Sequence, residues 1–129
     1  LVDQLIDNEV ARGMPAHRIV LGGFSQGCAM TLQAGLRYRE RLAGLMCMSG
    51  YLPLGASTDS ERSDANRLTP IFMAHGTYDD VIPIARARAS HAALQGMGYD
   101  VQWRDYPMPH SVSIEEIADI NRWLVGVLT

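Results

Sequence analysis

The sequence predicts an α/β fold in which helices cover both faces of a parallel sheet. Short apolar runs alternate along the chain with longer segments that have the 3.6-residue period of a helix. One long polar stretch interrupts this alternation, and no internal repeat or low-complexity tract occurs. Strands that alternate with helices form βαβ units, so the strands should lie parallel with helices on both sides of the sheet.

The first half of the chain contains two predicted helices and two predicted strands. The opening residues have the pattern of a helix that is already under way and ends at Gly13. Residues 18–23, RIVLGG, are typical of a buried parallel strand, and a helix follows over residues 26–39. The apolar run at residues 42–48 predicts the next strand.

The second half continues the same alternation after a polar excursion. Residues 54–69 are rich in Ser, Asp, Gly and Thr, which predicts a long loop. Residues 70–75 form the third predicted strand, and Pro83 can open a helix that runs to about residue 94. The fourth strand, at residues 101–106, alternates enough to lie near a sheet edge.

A capping box marks the start of the last helix. Ser113 precedes Glu116 by three residues, so the serine hydroxyl can accept from the Glu116 amide. The apolar residues expected on the buried face of this helix are Ile117, Ile120, Leu124 and Leu128.

Composition restricts the classes of function. A length of 129 residues with 47% apolar and 19% charged residues fits a single domain, residues 1–129. The net charge of −3 argues against nucleic-acid binding, which uses a concentrated basic patch. No apolar run approaches the roughly 18–20 residues that span a bilayer, so we expect no stable membrane insertion. No cluster of His, Cys and Asp has the spacing of a ligand set, and we expect no metal or cofactor.

The two cysteines bear on the compartment. Cys28 and Cys47 lie in apolar segments without C-x-x-C spacing. They could form a disulfide, but buried free thiols that behave as small hydrophobes are the preferred interpretation. That interpretation predicts a cytoplasmic location.

Residues 23–27, GFSQG, form the motif that points to chemistry. The pattern G-x-S-x-G also occurs by chance, but here it lies between a predicted strand and a predicted helix, which is the context of a nucleophile elbow. Flanking glycines leave room for the sharp turn. Ser25 would project above the carboxyl end of the sheet, and the backbone N–H of Gln26 could face a developing oxyanion. The alternative is a glycine-rich turn with an incidental serine.

A nucleophilic serine needs a base and an acid. His75 and His110 each follow a predicted strand at the carboxyl edge, where parallel sheets gather their active sites. Asp79 and Asp80 lie in a loop at the same edge. The order serine, aspartate, histidine is that of α/β-hydrolases and favours His110 as the base. His75 precedes both acids, and we expect its ring to fix the loop by hydrogen bonding.

Three motifs make the chain similar to the phospholipase/carboxylesterase family of α/β-hydrolases, which includes the acyl-protein thioesterases. They are RIVLGGFSQGCAM at the elbow, HGTYDDVIP around the acid and YPMPHSVSIEEIADINRWL at the end. The resemblance covers nearly the whole chain, and bacterial carboxylesterases are the nearest branch. The family's acid lies four residues after the histidine of the H-G pair and four before the proline, which selects Asp79 over Asp80. The family's base matches His110.

The resemblance implies a serine carboxylesterase that works through an acyl-enzyme on Ser25, with Asp79 and His110 completing the triad and Gln26 supplying one oxyanion donor. Family members carry a further N-terminal portion, which supplies the rest of the sheet and an H-G-x-G-type loop with the other donor. The chain should therefore be the C-terminal four strands of a longer domain. Its start in mid-helix without a methionine adds to the expectation of a fragment.

The sequence also suggests a substrate class and partners. The residues expected to line an apolar acyl pocket, which suggests short- to medium-chain esters, are Leu52, Leu54 and Met108; the alternative is that they anchor loops. Rival functions are an acyl-protein thioesterase or lysophospholipase, and a catalytically inactive fragment that acts as an interaction scaffold. The expected partners are a small-molecule ester as substrate and a second copy of the chain in a homodimer.

Overall fold

The computed structural model of the protein describes residues 1–53 and 55–129. The helices and strands are, in chain order, α1 (Val2–Ala11), β1 (Val20–Phe24), α2 (Gln26–Arg37), β2 (Gly44–Met48), α3 (Gly55–Glu61), β3 (Ile71–Gly76), α4 (Ile84–Gly96), β4 (Val101–Tyr106) and α5 (Ile114–Leu128). A short 3₁₀ turn, Ala16–Arg18, joins α1 to β1. The predicted α/β class is confirmed, and each predicted strand is present with its ends within two residues of the prediction.

The four strands form one parallel sheet in the order β1-β2-β3-β4. The register places Gly23 of β1 beside Cys47 of β2, and Cys47 beside Met73 of β3. A helix follows each strand, and between consecutive parallel strands the chain returns to the opposite end of the sheet. All four carboxyl ends therefore lie at one edge, where the loops that carry the candidate residues meet.

Helices cover both faces of the sheet, as predicted. On one face, α1, α2 and α4 contribute Ile6, Leu36 and Leu94 to the larger core cluster. On the other face, α5 places Trp123 against Phe72 of β3, with ring centroids 5.7 Å apart. Burying each of these side chains contributes roughly 1.5–3 kcal/mol, so both layers hold the sheet in place.

Two predicted details are wrong. The polar stretch at residues 54–69 is not entirely a loop, because it contains α3. On α5, Ile120 and Leu124 pack against the core as predicted, but Ile117 is 57% exposed and the most deeply buried residues are Glu116 and Trp123. Trp123 sets this rotation: its ring lies where a Cβ on Gly44 would approach to 2.6 Å, so the missing side chain of that glycine makes room for the indole.

Cys28 and Cys47 are joined in a disulfide, so the expectation of two free thiols is wrong. The two Cα atoms are 4.4 Å apart, and both residues are buried. Tertiary packing explains the pairing, because α2 packs directly on β1 and β2 and brings the two cysteine side chains together between the layers. A separation of 19 residues along the chain carries no signal of this contact.

Within residues 1–53 and 55–129, no helix combines the length and hydropathy needed to cross a membrane. Over the same ranges, no group of three or more His, Cys, Asp or Glu side chains is arranged to hold a metal ion.

Candidate active site

The turn between β1 and α2 holds Ser25 in a rare backbone conformation. Its φ of 58° and ψ of −117° lie outside the regions that non-glycine residues normally occupy, and such strain persists only when the surroundings enforce it. The Ser25 N–H donates to the carbonyl of Met48 at 2.7 Å, and the Cys28 N–H donates to the Ser25 carbonyl at 3.0 Å. The turn is therefore fixed from β2 and from α2, as a nucleophile elbow requires.

Close backbone approaches explain two of the glycines around this turn. A Cβ on Gly23 would lie 2.2 Å from the carbonyl of Gly27, and one on Gly50 would lie 2.6 Å from the carbonyl oxygen of Ser25. Nothing lies within 4 Å of a Cβ placed on Gly27 itself. The prediction that both flanking glycines relieve a clash is thus confirmed for Gly23 and wrong for Gly27.

The structure brings Ser25, Asp79 and His110 together at the carboxyl edge of the sheet. His110 Nε2 lies 2.9 Å from Ser25 Oγ, and His110 Nδ1 lies 2.6 Å from Asp79 Oδ2. With Nδ1–H donating to the carboxylate, Nε2 keeps its lone pair and can accept the serine proton. The three predicted residues thus form a continuous hydrogen-bond chain.

The acid of this chain is deeply enclosed. The Asp79 side chain is buried, and its Oδ1 accepts from the amides of Ile82 at 2.8 Å and Val81 at 2.9 Å. Burial by itself raises the pKa of Asp79, but the hydrogen bonds from His110, Ile82 and Val81 outweigh it and hold that pKa below its ordinary value. Asp80 is exposed, so burial and contacts separate the two candidates in favour of Asp79.

The base is positioned by two contacts that the motifs did not predict. The Phe24 ring lies beside His110, with ring centroids 4.9 Å apart. The loop before His110 packs on Gly76, where a Cβ would lie 2.2 Å from the carbonyl oxygen of Met108. The G-F-S and H-G pairs are the sequence signals at which these contacts could have been sought. The His110 side chain keeps 15% of its surface accessible, which leaves it open to a reactant.

His75 lies behind the acid and not at the nucleophile. Its residue is 1% exposed, and its Nε2 lies 2.7 Å from the carbonyl oxygen of Ile82. The ring therefore fixes the loop by hydrogen bonding, as the sequence led us to expect.

The residues predicted to bind the oxyanion and the acyl chain lie in different surroundings. Gln26 is the first residue of α2, so its N–H has no carbonyl within the helix and points out of the first turn. Leu52 is buried in the larger core cluster, and its N–H donates to Ser90 Oγ at 2.9 Å. Met108 is buried in the second cluster, and Leu54 lies outside the described residues. Burial of Leu52 and Met108 favours the loop-anchoring alternative.

Comparison with known proteins places this geometry in a family. The sequence profile described as Phospholipase/Carboxylesterase matches residues 1–127. The chain is 43% identical over 123 residues to acyl-protein thioesterase 1 of Gibberella zeae, which covers 93% of this chain and 52% of that protein. It is 39% identical over 124 residues to a probable carboxylesterase of Oryza sativa subsp. japonica, which covers 95% of this chain and 47% of the relative.

Solved structures agree with the sequence comparison. Arabidopsis thaliana SOBER1 superposes with a TM-score of 0.94 at 32% identity, covering 99% of this chain and 61% of that one. The esterase PE8 superposes with a TM-score of 0.91 at 26% identity, covering 98% and 59%. The chain spans about half the length of the curated relatives that it matches. The match across nearly every residue, together with the triad geometry, shows that this chain belongs to the phospholipase/carboxylesterase family of α/β-hydrolases.

Proposed function

We propose that this chain carries the catalytic triad of a serine esterase that hydrolyses short- to medium-chain carboxylic esters. The observation that carries the proposal is the hydrogen-bond chain from Ser25 Oγ through His110 to Asp79, at 2.9 Å and 2.6 Å. A serine in a strained elbow, a base within proton-transfer distance and a buried acid are the three parts that acyl transfer through a serine needs.

The proposed reaction has two steps. Ser25 Oγ attacks the acyl carbon while His110 Nε2 takes its proton, and the carboxylate of Asp79 stabilises the imidazolium that forms. His110 then protonates the leaving alkoxide as the carbon–oxygen bond breaks, which leaves the acyl-enzyme. In the second step, water attacks the acyl carbon while His110 Nε2 takes its proton. The bond from the acyl carbon to Ser25 Oγ then breaks, the carboxylic acid leaves, and His110 returns the proton to Ser25.

Charge on the tetrahedral intermediate needs backbone donors. The Gln26 N–H at the start of α2 is the donor that the described residues offer next to Ser25. We propose that a second donor comes from a segment outside these 129 residues, in keeping with the greater length of the relatives. Loss of one oxyanion donor costs about 2.7–4 kcal/mol of transition-state stabilisation. The placement of residues 1–129 as the C-terminal part of a longer domain stays a prediction, as does the bacterial branch.

A thioester substrate is the second candidate. The relative from Gibberella zeae is named an acyl-protein thioesterase, and a triad of this kind can attack a thioester as well as an ester. Lysophospholipase activity is a further alternative within the same chemistry. Leu52, Leu54 and Met108 stay proposed acyl-pocket residues, although burial of Leu52 and Met108 supports loop anchoring instead.

Labelling and rate comparisons test the proposal. A fluorophosphonate probe should modify the complete natural polypeptide at Ser25, and Ser25→Ala should abolish the label without changing thermal stability. Rates on p-nitrophenyl esters of increasing chain length, set against rates on acyl-thioesters of the same chains, separate esterase from thioesterase. Absence of label on a folded protein would contradict the proposal and favour the inactive scaffold.

Compartment and assembly are also proposals. The cytoplasmic location expected from free thiols loses its support, because Cys28 and Cys47 are paired and disulfides persist mainly in oxidising compartments. Fractionation of cells that produce the natural polypeptide tests the location: recovery with a cytoplasmic marker supports it, and recovery in an exported fraction contradicts it. Light scattering at two protein concentrations tests the homodimer.

A further inference from the structure

His75 is a nearly fully buried imidazole that the proposed reaction does not use. It lies near the end of β3, an inner strand of the sheet, where the register pairs it with Asp105 of β4. Its Nε2 lies 2.7 Å from the carbonyl oxygen of Ile82. A carbonyl oxygen can only accept a hydrogen bond, so the proton of the ring must be on Nε2.

The other ring nitrogen limits what His75 can do. Among the described residues, no hydrogen-bond partner reaches the buried Nδ1. The contacts therefore assign a ring proton to Nε2 and make His75 an N–H donor toward Ile82.

Ile82 connects this donor to the catalytic acid. Its carbonyl accepts from His75, while its N–H donates to Asp79 Oδ1 at 2.8 Å. His75 Nε2 also lies 3.4 Å from Asp79 Oδ2, the oxygen that faces His110 Nδ1 at 2.6 Å. A ring anchored in the sheet thus reaches one carboxylate oxygen through Ile82 and lies 3.4 Å from the other.

We propose that His75 is a positioning residue for the reaction proposed above, one that fixes Asp79 through Ile82 so that His110 stays oriented toward Ser25. This inference rests on the proposed function. A side chain that served packing alone would need neither the 2.7 Å bond to Ile82 nor the approach to the acid. Because a misplacement of about 1 Å can cost roughly 100-fold in rate, a modest shift of Asp79 should be measurable.

The test compares two variants of the complete natural polypeptide. His75→Leu keeps the bulk and removes the donor, whereas the amide nitrogen of His75→Gln can take the place of Nε2. Rates are expressed per Ser25 titrated with fluorophosphonate, so a partly folded sample does not imitate a slow enzyme. The control is His91→Gln, which changes a partly buried histidine of α4 that stacks on Trp103.

We expect His75→Leu to lower kcat roughly 10- to 100-fold with KM changed less than about twofold, and to move the acid limb of the kcat/KM profile. His75→Gln should restore kcat to within about threefold of wild type, as expected if the N–H donor is what matters. In a double-mutant cycle, adding His75→Leu to Asp79→Asn should cost almost nothing more, because the histidine acts through the aspartate.

Other outcomes overturn the inference. A lowered melting temperature with unchanged kcat per titrated site would make His75 a structural residue only. Additive losses in the cycle, or a folded His75→Gln that stays slow, would also contradict it. If His75→Leu does not fold, His75→Asn, whose amide is too short to reach Ile82, replaces it. Failure of both to fold beside a fully active His75→Gln counts against the proposal. A wild-type protein without label or turnover would instead refute the proposed function.

Discussion

The acid side and the nucleophile side of the site are built differently. On the acid side, all six residues of β3 are buried, and Asp79 receives hydrogen bonds from His110, Val81 and Ile82. On the nucleophile side, β1 lies at the edge of the sheet and is only partly buried, and Phe24 is 39% exposed. The acid thus follows an inner strand that has a neighbour on each side, whereas the strand before Ser25 has a neighbour on one side.

This difference shows which half of the site depends on its neighbours. An edge strand presents backbone N–H and C=O groups that can pair with another strand, and natural proteins usually cover such edges. Within the described residues, nothing pairs with the outer edge of β1. We therefore expect the geometry of Asp79 to be robust, and that of Ser25 to be more sensitive to what lies beside β1.

The largest effect should come from breaking the acid side. Asp79→Asn keeps the size of the side chain but lets its amide donate toward His110, which favours the wrong tautomer. Replacing the acid in this way lowers kcat by about 10⁴-fold in a serine triad. Esterase assays should show this loss, with Asp80→Asn, an exposed neighbour, close to wild type. Equal losses in the two variants would contradict the assignment of the acid.

The elbow offers the next largest effect on the nucleophile side. In Gly23→Ala the new methyl would approach the backbone of Gly27 to 2.2 Å, so the turn must move. We expect a loss of about 3 kcal/mol of stability or more, together with loss of fluorophosphonate labelling. Gly27→Ala is the matched control, because its methyl enters open space and replaces a glycine in a helix. It should change stability by less than about 1 kcal/mol, measured by urea unfolding.

The next effect concerns Glu116, a buried carboxyl of α5. Its carboxylate is buried in α5, and no partner for either oxygen is found in the part of the chain that the structure describes. Burial raises the pKa of Glu116, although the Ser113 contact at the helix start opposes it. Because the folded-state pKa lies above the unfolded one, the ionised form costs stability, and this cost is absent at low pH and grows as pH rises through the folded pKa.

Glu116→Met should therefore raise the free energy of unfolding by about 1–3 kcal/mol at pH 7. The gain should shrink below pH 4.5, the ordinary value for this carboxyl, where the wild-type group is already protonated. Urea unfolding at several pH values measures it, with Glu115→Met, an exposed neighbour, as the control. A loss of stability at pH 7 would mean that Glu116 has a hydrogen-bond partner in solution.

The smallest effect concerns the open edge itself. In the 129-residue chain, amides of β1 should exchange with deuterium about tenfold or more faster than those of β3, because fewer of them are shielded. Exchange measured by mass spectrometry on peptides covering residues 20–24 and 71–76 gives the ratio. Equal protection of the two strands would show that β1 is paired in solution, and light scattering would then reveal whether a second copy covers it.

The strands and the grouping of Ser25, Asp79 and His110 at one edge were predictable because their signals lie in short motifs. A β-branched apolar run before G-x-S-x-G marks β1 and Ser25, and the chain order of the motifs separates His110 from His75. What was missed depends on how elements pack. The disulfide requires α2 over β2, and the burial of Glu116 in place of Ile117 follows from the seating of Trp123 at Gly44. Periodicity identifies a helix but does not fix its rotation to within one residue.

The hydrogen bond between His110 and Ser25 joins residues 85 positions apart. Closing a loop of that length has an entropic cost that packing of the intervening strands and helices repays, so we expect the two side chains to meet only in molecules whose intervening elements are packed. Covalent capture of Ser25 by a fluorophosphonate would therefore count natively assembled molecules one by one. Labelling at Ser25 measured over time would then report how the folded fraction of the chain grows during refolding.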